Sequence, residues 1–232
     1  MDDPSGQTRS LEETTCEKDL GVLIDNKLTF KNHISTSAKK ANSILGLIRR
    51  TFKHLDAHNL PQLYKTIVRP IIEYGNSVWW PVQKQERVEL EKIQHGATKL
   101  IPELRNLKYE DRLRQLNIPT IAYRHLRGDM INVYKYATNK YKTHLLNFDT
   151  NSTTRSNGFK LNTQRCNTTK YQKSFTNRVT APWNSLPANV VESPSVNIFK
   201  NRLDKLWMKH PLKFNPESKT SLPPQHRLDY VL

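Results

Sequence analysis

The stretch Phe30-Lys31-Asn32-His33-Ile34-Ser35-Thr36-Ser37-Ala38-Lys39-Lys40-Ala41-Asn42-Ser43-Ile44-Leu45-Gly46-Leu47-Ile48-Arg49-Arg50-Thr51-Phe52-Lys53 decides the fold class. Its apolar residues Ile34, Ala41, Leu45, Ile48 and Phe52 recur at spacings of three, four and seven, which is the period of one helix face and not of a strand. It holds six basic residues (Lys31, Lys39, Lys40, Arg49, Arg50 and Lys53) and no acid. At one hundred degrees per residue, Lys39, Arg50 and Lys53 fall together opposite the apolar side, with Lys40 and Arg49 flanking them. Ser35, Ser43 and Gly46 share the basic face and are small enough to let a phosphate backbone approach. A solvated helix face is the bland alternative for such a charge run.

Working outward, Leu20-Gly21-Val22-Leu23-Ile24-Asp25 reads as a short strand closed by a turn at Asp25-Asn26. Asp56 can cap a helix carrying Leu60, Leu63, Tyr64, Ile67 and Val68, which Pro70 should kink or end. A helix from Gln83 to Ile101 carries Val88, Ile93, Ala97 and Leu100 and closes at Pro102. A short helix follows around Tyr109 to Leu116. Another starts near Pro119, with Ile121, Leu126, Met130, Val133 and Tyr134 on its buried side. After Phe148 the composition shifts: residues 150–191 contain no acid and six basic residues. That stretch reads as loop with short strands around Phe159 to Leu161, with a helix resuming near Phe175. The last helix spans Ser195 to Lys209, with Val196, Phe199, Leu203 and Leu206 inward. The expected class is mainly α with a small β element at its start. The expected divisions are a flexible 1–16, a region 17–148, a basic region 149–209 and a flexible tail 210–232.

Charge says most about partners. Among 232 residues, 37 Lys and Arg stand against 21 Asp and Glu, a formal net charge of +16. Such an excess favours a polyanion, nucleic acid before an anionic membrane surface. No apolar run approaches a membrane span, and residues 1–10 lack the apolar core of a signal peptide. Two distant cysteines, Cys16 and Cys166, build no disulfide framework or metal knuckle, which fits an intracellular place in nucleus or cytoplasm. Asn151-Ser152-Thr153 and Asn167-Thr168-Thr169 match glycosylation acceptors by chance in an Asn- and Thr-rich stretch.

The chemistry-bearing residue types do not assemble into a catalytic pattern. Asp19, Asp25, Glu73, Glu110, Asp111 and Asp129 form no recognisable two-metal constellation. Glu86, Glu89 and Glu91, beside Arg87 and Lys92, read as solvated helix charges. His54 and His58 are four apart but straddle the Asp56 cap with no third ligand in view. There is no nucleophile elbow, phosphate-cradling glycine loop or Cys–His pair, so neither a cofactor nor a small-molecule substrate is implied. Arg127-Gly128-Asp129 spells an adhesion tripeptide but falls mid-helix. Trp79, Trp80, Tyr123 and Trp183 could stack on bases, although Trp79 and Trp183 read better as core and Trp80 as the exposed member of its pair.

Ordered blocks from Glu17 to Trp207 carry a resemblance. They begin with Glu17-Lys18-Asp19-Leu20-Gly21-Val22, Lys39-Lys40-Ala41-Asn42 and Leu45-Gly46-Leu47-Ile48-Arg49-Arg50. Leu63-Tyr64-Lys65, Arg69-Pro70, Glu73-Tyr74-Gly75, Val78-Trp79 and Pro81 follow, then Leu90-Glu91, Gln94, Ala97-Thr98-Lys99 and Arg127-Gly128-Asp129-Met130. Trp183-Asn184, Leu186-Pro187, Phe199-Lys200 and Arg202-Leu203-Asp204 close the series. In this order they resemble the region after the polymerase core of LINE-type (non-LTR) retrotransposon reverse transcriptases of the Jockey and chicken-repeat kind. The resemblance implies a palm remnant, a helical thumb-like bundle and a family-specific C-terminal region. His95-Gly96 stands where the family has two arginines, His125 replaces another, and Ser156 replaces a glycine. The family's Phe-Ala-Asp-Asp-like block is missing, and Asp2-Asp3 lies too close to the Leu20-Gly21 element to supply it.

The sequence therefore leads to the expectation of a non-catalytic chain. It would hold RNA or an RNA–DNA hybrid through phosphates, with Lys39, Lys40, Arg49, Arg50 and Lys53 as contacts and a separate polymerase core as a further partner. The alternative is a structural or protein-interaction module with no nucleic-acid role.

Overall fold

The computed structural model describes residues 13–141, 145–149 and 159–218. The expected flexibility of residues 1–12 and 219–232, the Asn151 acceptor and the Ser156 departure lie outside the described residues.

The chain is mainly helical, with a small two-stranded sheet at its start. That sheet is a hairpin: β1 (Cys16–Asp19) pairs antiparallel with β2 (Val22–Asp25), Asp19 opposite Val22. Leu20 belongs to the turn, not to the expected strand. Leu20 and Gly21 both take positive φ, 44° and 87°, as the two-residue turns that suit strand twist require. The Tyr74 hydroxyl pins this turn by donating to the Leu20 carbonyl at 2.7 Å.

Asp25 sets the path into the first long helix. Its carboxylate accepts the N–H groups of Lys27, Thr29 and Phe30, the last at 2.6 Å, so Phe30 sits at φ 56° just before α1 (Lys31–Thr51). Burial raises the Asp25 carboxyl, but these donors outweigh it and hold it below its ordinary value. Within α1, Ile34, Ala41, Leu45 and Ile48 are buried as the spacing predicts, joined by His33, Ser37 and Ala38. Phe52 is not: the backbone turns extended there, and the ring is 41% exposed.

Asp56 does close the turn before α2 (Asn59–Leu63), accepting from the N–H groups of His58 and Asn59 at 2.8 Å. Pro70 does not end the helical run. A π-turn at Tyr64–Val68 widens the helix ahead of it, and α3 (Arg69–Glu73) continues with the proline in its first turn, where no N–H is needed. After Gly75 come α4 (Asn76–Trp79) and α5 (Lys84–Thr98). The face of α5 differs from the expectation. Leu90, Ile93, Gln94, Ala97 and Thr98 are buried and Val88 is exposed, because Val88 stands ~160° around the helix from Leu90.

A 3₁₀ turn at Pro102–Leu104 leads to α6 (Tyr109–Gln115) and then α7 (Ile121–Ala137). An isolated bridge joins Phe148 to Leu161. Short helices follow: α8 (Thr169–Lys173), α9 (Phe175–Arg178), α10 (Thr180–Asn184) and α11 (Ala188–Val191). The last full helix, α12 (Val196–Leu206), buries Phe199 and Leu203, while Leu206 is exposed and Trp207 takes the inward position. The tail expected to be free from His210 is packed as far as Phe214. Thr120 donates its N–H to the Lys213 carbonyl and its hydroxyl to that of Leu212, and Phe214 lies against the core.

Two apolar clusters share α7. One runs from Val22 to Ile121 and holds α1, the α2–α3 run and α5; the other runs from Tyr123 to Leu212. The division between the two clusters falls at the start of α7. Leu146 and Leu161, on either side of the change in composition after Phe148, belong to one cluster.

Candidate nucleic-acid interface

Burial of one face of α1 leaves Lys39, Lys40, Arg49 and Arg50 exposed on the other. Among the described residues none of the four lies within ion-pair distance of a carboxylate. Arg49 and Arg50 occupy the last turn, where cations also favour the helix dipole. Lys31 is less free, because it lies close enough to Glu86 of α5 to be felt by that carboxyl. Lys53 is exposed but follows the break at Phe52, so it leaves the helical spacing that placed it beside Arg50. Gly46 on the same face is open: a Cβ there would meet only the Arg50 guanidinium, at 3.8 Å.

The aromatic residues do not form a stacking platform. Trp79 and Trp183 are buried, their indole N–H groups donating to the Tyr74 carbonyl at 2.6 Å and the Phe159 carbonyl at 2.7 Å. Tyr123 is buried as well. Trp80 is half-buried, with its ring stacked on His125 at 3.9 Å. That contact gives His125 its place, between the Trp80 ring and the Asp129 carboxylate at 3.2 Å, where burial lowers its pKa.

The acids are dispersed, and among the described residues no three His, Cys, Asp or Glu side chains could hold a metal together. Glu110 and Asp111 pair with Arg114 on their own helix. The tripeptide at Arg127 is taken up by the fold. Arg127 grips Asp204 of α12 at 2.5 and 2.7 Å, and Asp129 is held by Arg178 of α9 at 2.9 and 3.2 Å. A polar cleft of about 260 Å³ lined by Thr163, Gln164, Cys166, Gln172, Asn177 and Thr180 carries no charged lining residue.

Two charge arrangements escaped the sequence. Glu91 is not a solvated helix charge. It accepts from the Tyr109 hydroxyl at 2.7 Å and caps α7 by accepting from the Ile121 N–H at 3.0 Å. Burial outweighs both donors and pushes its carboxyl up to about 7. Gln94 extends the network to the Tyr64 hydroxyl and the Pro119 carbonyl. The second arrangement is Glu73, held bidentately by Arg124 at 2.5 and 2.7 Å, with Arg69 at 4.0 Å. The spacing of Arg69 and Glu73 by four hinted at it, but nothing local announced Arg124.

No family model matches the chain, and no solved structure matches it. Uncharacterized protein B0403.1 of Caenorhabditis elegans is 27% identical to it over 111 residues, covering 47% of this chain. The matched stretch spans 56% of that relative's own length. Among the described residues no helix is long and apolar enough to cross a membrane.

Proposed function

We propose that this chain holds RNA or an RNA–DNA hybrid through phosphate contacts from the exposed face of α1, with Lys39, Lys40, Arg49 and Arg50 as the contacting residues. One observation carries this reading: four cations lie on a helix face free of acids, opposite a buried face that anchors it. The net charge of +16 and the resemblance to reverse transcriptases of the LINE type support it. With Trp79, Tyr123 and Trp183 buried and Trp80 stacked on His125, binding would be by phosphates more than by contacts to bases.

The test is a salt titration of binding to a short RNA–DNA hybrid. About four phosphate contacts give a log–log slope of roughly −3 to −4. Lys39→Glu with Arg50→Glu should weaken binding to all sequences alike and flatten the slope, with the helix still folded. Unchanged binding by the folded double variant would remove α1 from the reading.

A second reading, docking on a separate polymerase core, is favoured by the hairpin end. Leu20, Tyr74 and Val78 expose apolar surface there, at 83%, 57% and 60%. Docking through that surface would survive salt that strips a phosphate-bound hybrid.

A further inference from the structure

Where the π-turn and α3 meet α7, cations outnumber carboxylates in a half-buried space. Lys65 and Arg69 come from the π-turn and the start of α3, Arg124 and Arg127 from α7. Arg127 is matched by Asp204, and Arg124 occupies both oxygens of Glu73. Arg69 reaches Glu73 only at 4.0 Å, with its side chain 11% exposed and no hydrogen bond among the described residues. Lys65 is partly buried and has no acidic partner there. The unmatched charge therefore falls on Lys65 and Arg69.

We propose that Lys65 and Arg69 form a phosphate-binding site, a second contact point distinct from α1, where a phosphate group completes the cluster that Glu73 leaves short of negative charge. The chemistry suits the ligand. A guanidinium whose fork has no carboxylate to itself can offer paired N–H groups to phosphate oxygens, and an ammonium beside it adds a point charge. The ionised forms are held at a cost: burial first, and then repulsion from neighbouring cations, lowers the pKa of both Lys65 and Arg69. Arg112, a buried cation also without a carboxylate, is held instead by the Thr98 hydroxyl and the Arg105 and Leu107 carbonyls, whereas Arg69 has no such hydrogen bond among the described residues. Pro70 accounts for the π-turn, but not for two cations gathered around one shared carboxylate.

The hybrid arm of the test rests on the proposed function; the phosphate arm does not. The full chain is melted in inorganic phosphate and in chloride at equal ionic strength, and titrated with the RNA–DNA hybrid over a range of salt. Phosphate should raise the melting temperature of the native chain with the logarithm of its concentration once the site begins to fill, as ligand linkage requires. Lys65→Gln should lose that protection and flatten the hybrid's log–log salt slope by about one unit. Glu73→Gln should melt earlier in chloride yet gain more from phosphate, the opposite of what a purely structural ion pair gives. Protection by phosphate with an unaltered hybrid slope upholds the site and assigns it to free phosphate. A folded Lys65→Gln chain with full phosphate protection and an unaltered slope overturns it, while hybrid binding lost only in the α1 variant would leave the proposed function standing alone.

Discussion

Replacing Glu91 with glutamine should change how stability depends on pH, and the size of the change is set by where the carboxyl sits. In the unfolded chain Glu91 ionises near its ordinary 4.5; in the fold burial pushes it up to about 7, against the hydrogen bonds from Tyr109 and Ile121. Between those two values the folded chain holds a proton that the unfolded chain has released. Stability from this group is therefore complete below 4.5 and is lost as pH rises through 7. Integrated from pH 5 to pH 8, the loss is about 2.5 kcal/mol. Glutamine keeps the cap on α7 by turning its single carbonyl to the Ile121 N–H, and its amide N–H then faces the Tyr109 hydroxyl oxygen, so the charge is removed with the helix contact kept. His33, His95, His125 and His210 are held below their ordinary value by burial, His210 at about 4, and they act with the opposite sign by losing stability as pH falls. They are present in both chains and cancel in the difference. Urea unfolding of the native chain and Glu91→Gln at intervals from pH 5 to pH 8 gives that difference directly. The glutamine chain should gain on the native one steadily with pH. Parallel curves would refute the argument, because they would mean that Glu91 ionises alike in both states.

Three further outcomes rest on single contacts. Asp129→Ala leaves Arg178 and its guanidinium half-buried without a carboxylate, and should cost about 3–5 kcal/mol in urea unfolding. Gly75→Ala meets a backbone at φ 63° and places a Cβ 3.3 Å from Val22, so it should destabilise by roughly 1–2 kcal/mol, read as a lower melting temperature with unchanged helix content. If the resemblance holds, the chain lacks the Phe-Ala-Asp-Asp-like block of a polymerase core and should not extend a primer on an RNA template; chelator-sensitive extension above a no-protein control would contradict this.

What could be read from the sequence was whatever one helix decides by itself. The buried face of α1 is a matter of spacing, so Ile34, Ala41, Leu45 and Ile48 were legible. Phe52 and Lys53 were not, because the same spacing continues past a helix end that has no proline or glycine to mark it. Glu91 looked like Glu86 and Glu89 in a charged run. Only the approach of Tyr109 from α6 and of the α7 N-terminus encloses it. A signal was present, since Glu91, Gln94 and Thr98 form a polar stripe beside Leu90 and Ala97, but counting Val88 as core hid that face. Arg127 and Asp129 could not be assigned locally, because the charges that grip them, Asp204 and Arg178, lie 77 and 49 residues away in the chain.

The fold divides its cations into two classes, and the division makes the functional reading separable from stability. Arg178, Arg127 and Arg124 each grip a carboxylate from another helix, and the buried Arg112 is caged by the Arg105 and Leu107 carbonyls and the Thr98 hydroxyl. Altering any of these removes a contact that joins elements, so lost binding would be confounded by a loosened chain. Lys39, Lys40, Arg49 and Arg50 join nothing among the described residues. Their reversal removes little that the core depends on, beyond the modest dipole contribution of Arg49 and Arg50. Loss of hybrid binding on reversing Lys39 and Arg50, with an unchanged melting temperature and full binding by a chain with two exposed lysines reversed elsewhere, would come from the surface they occupy. The same loss after reversing Arg178 would say nothing of where the nucleic acid sits.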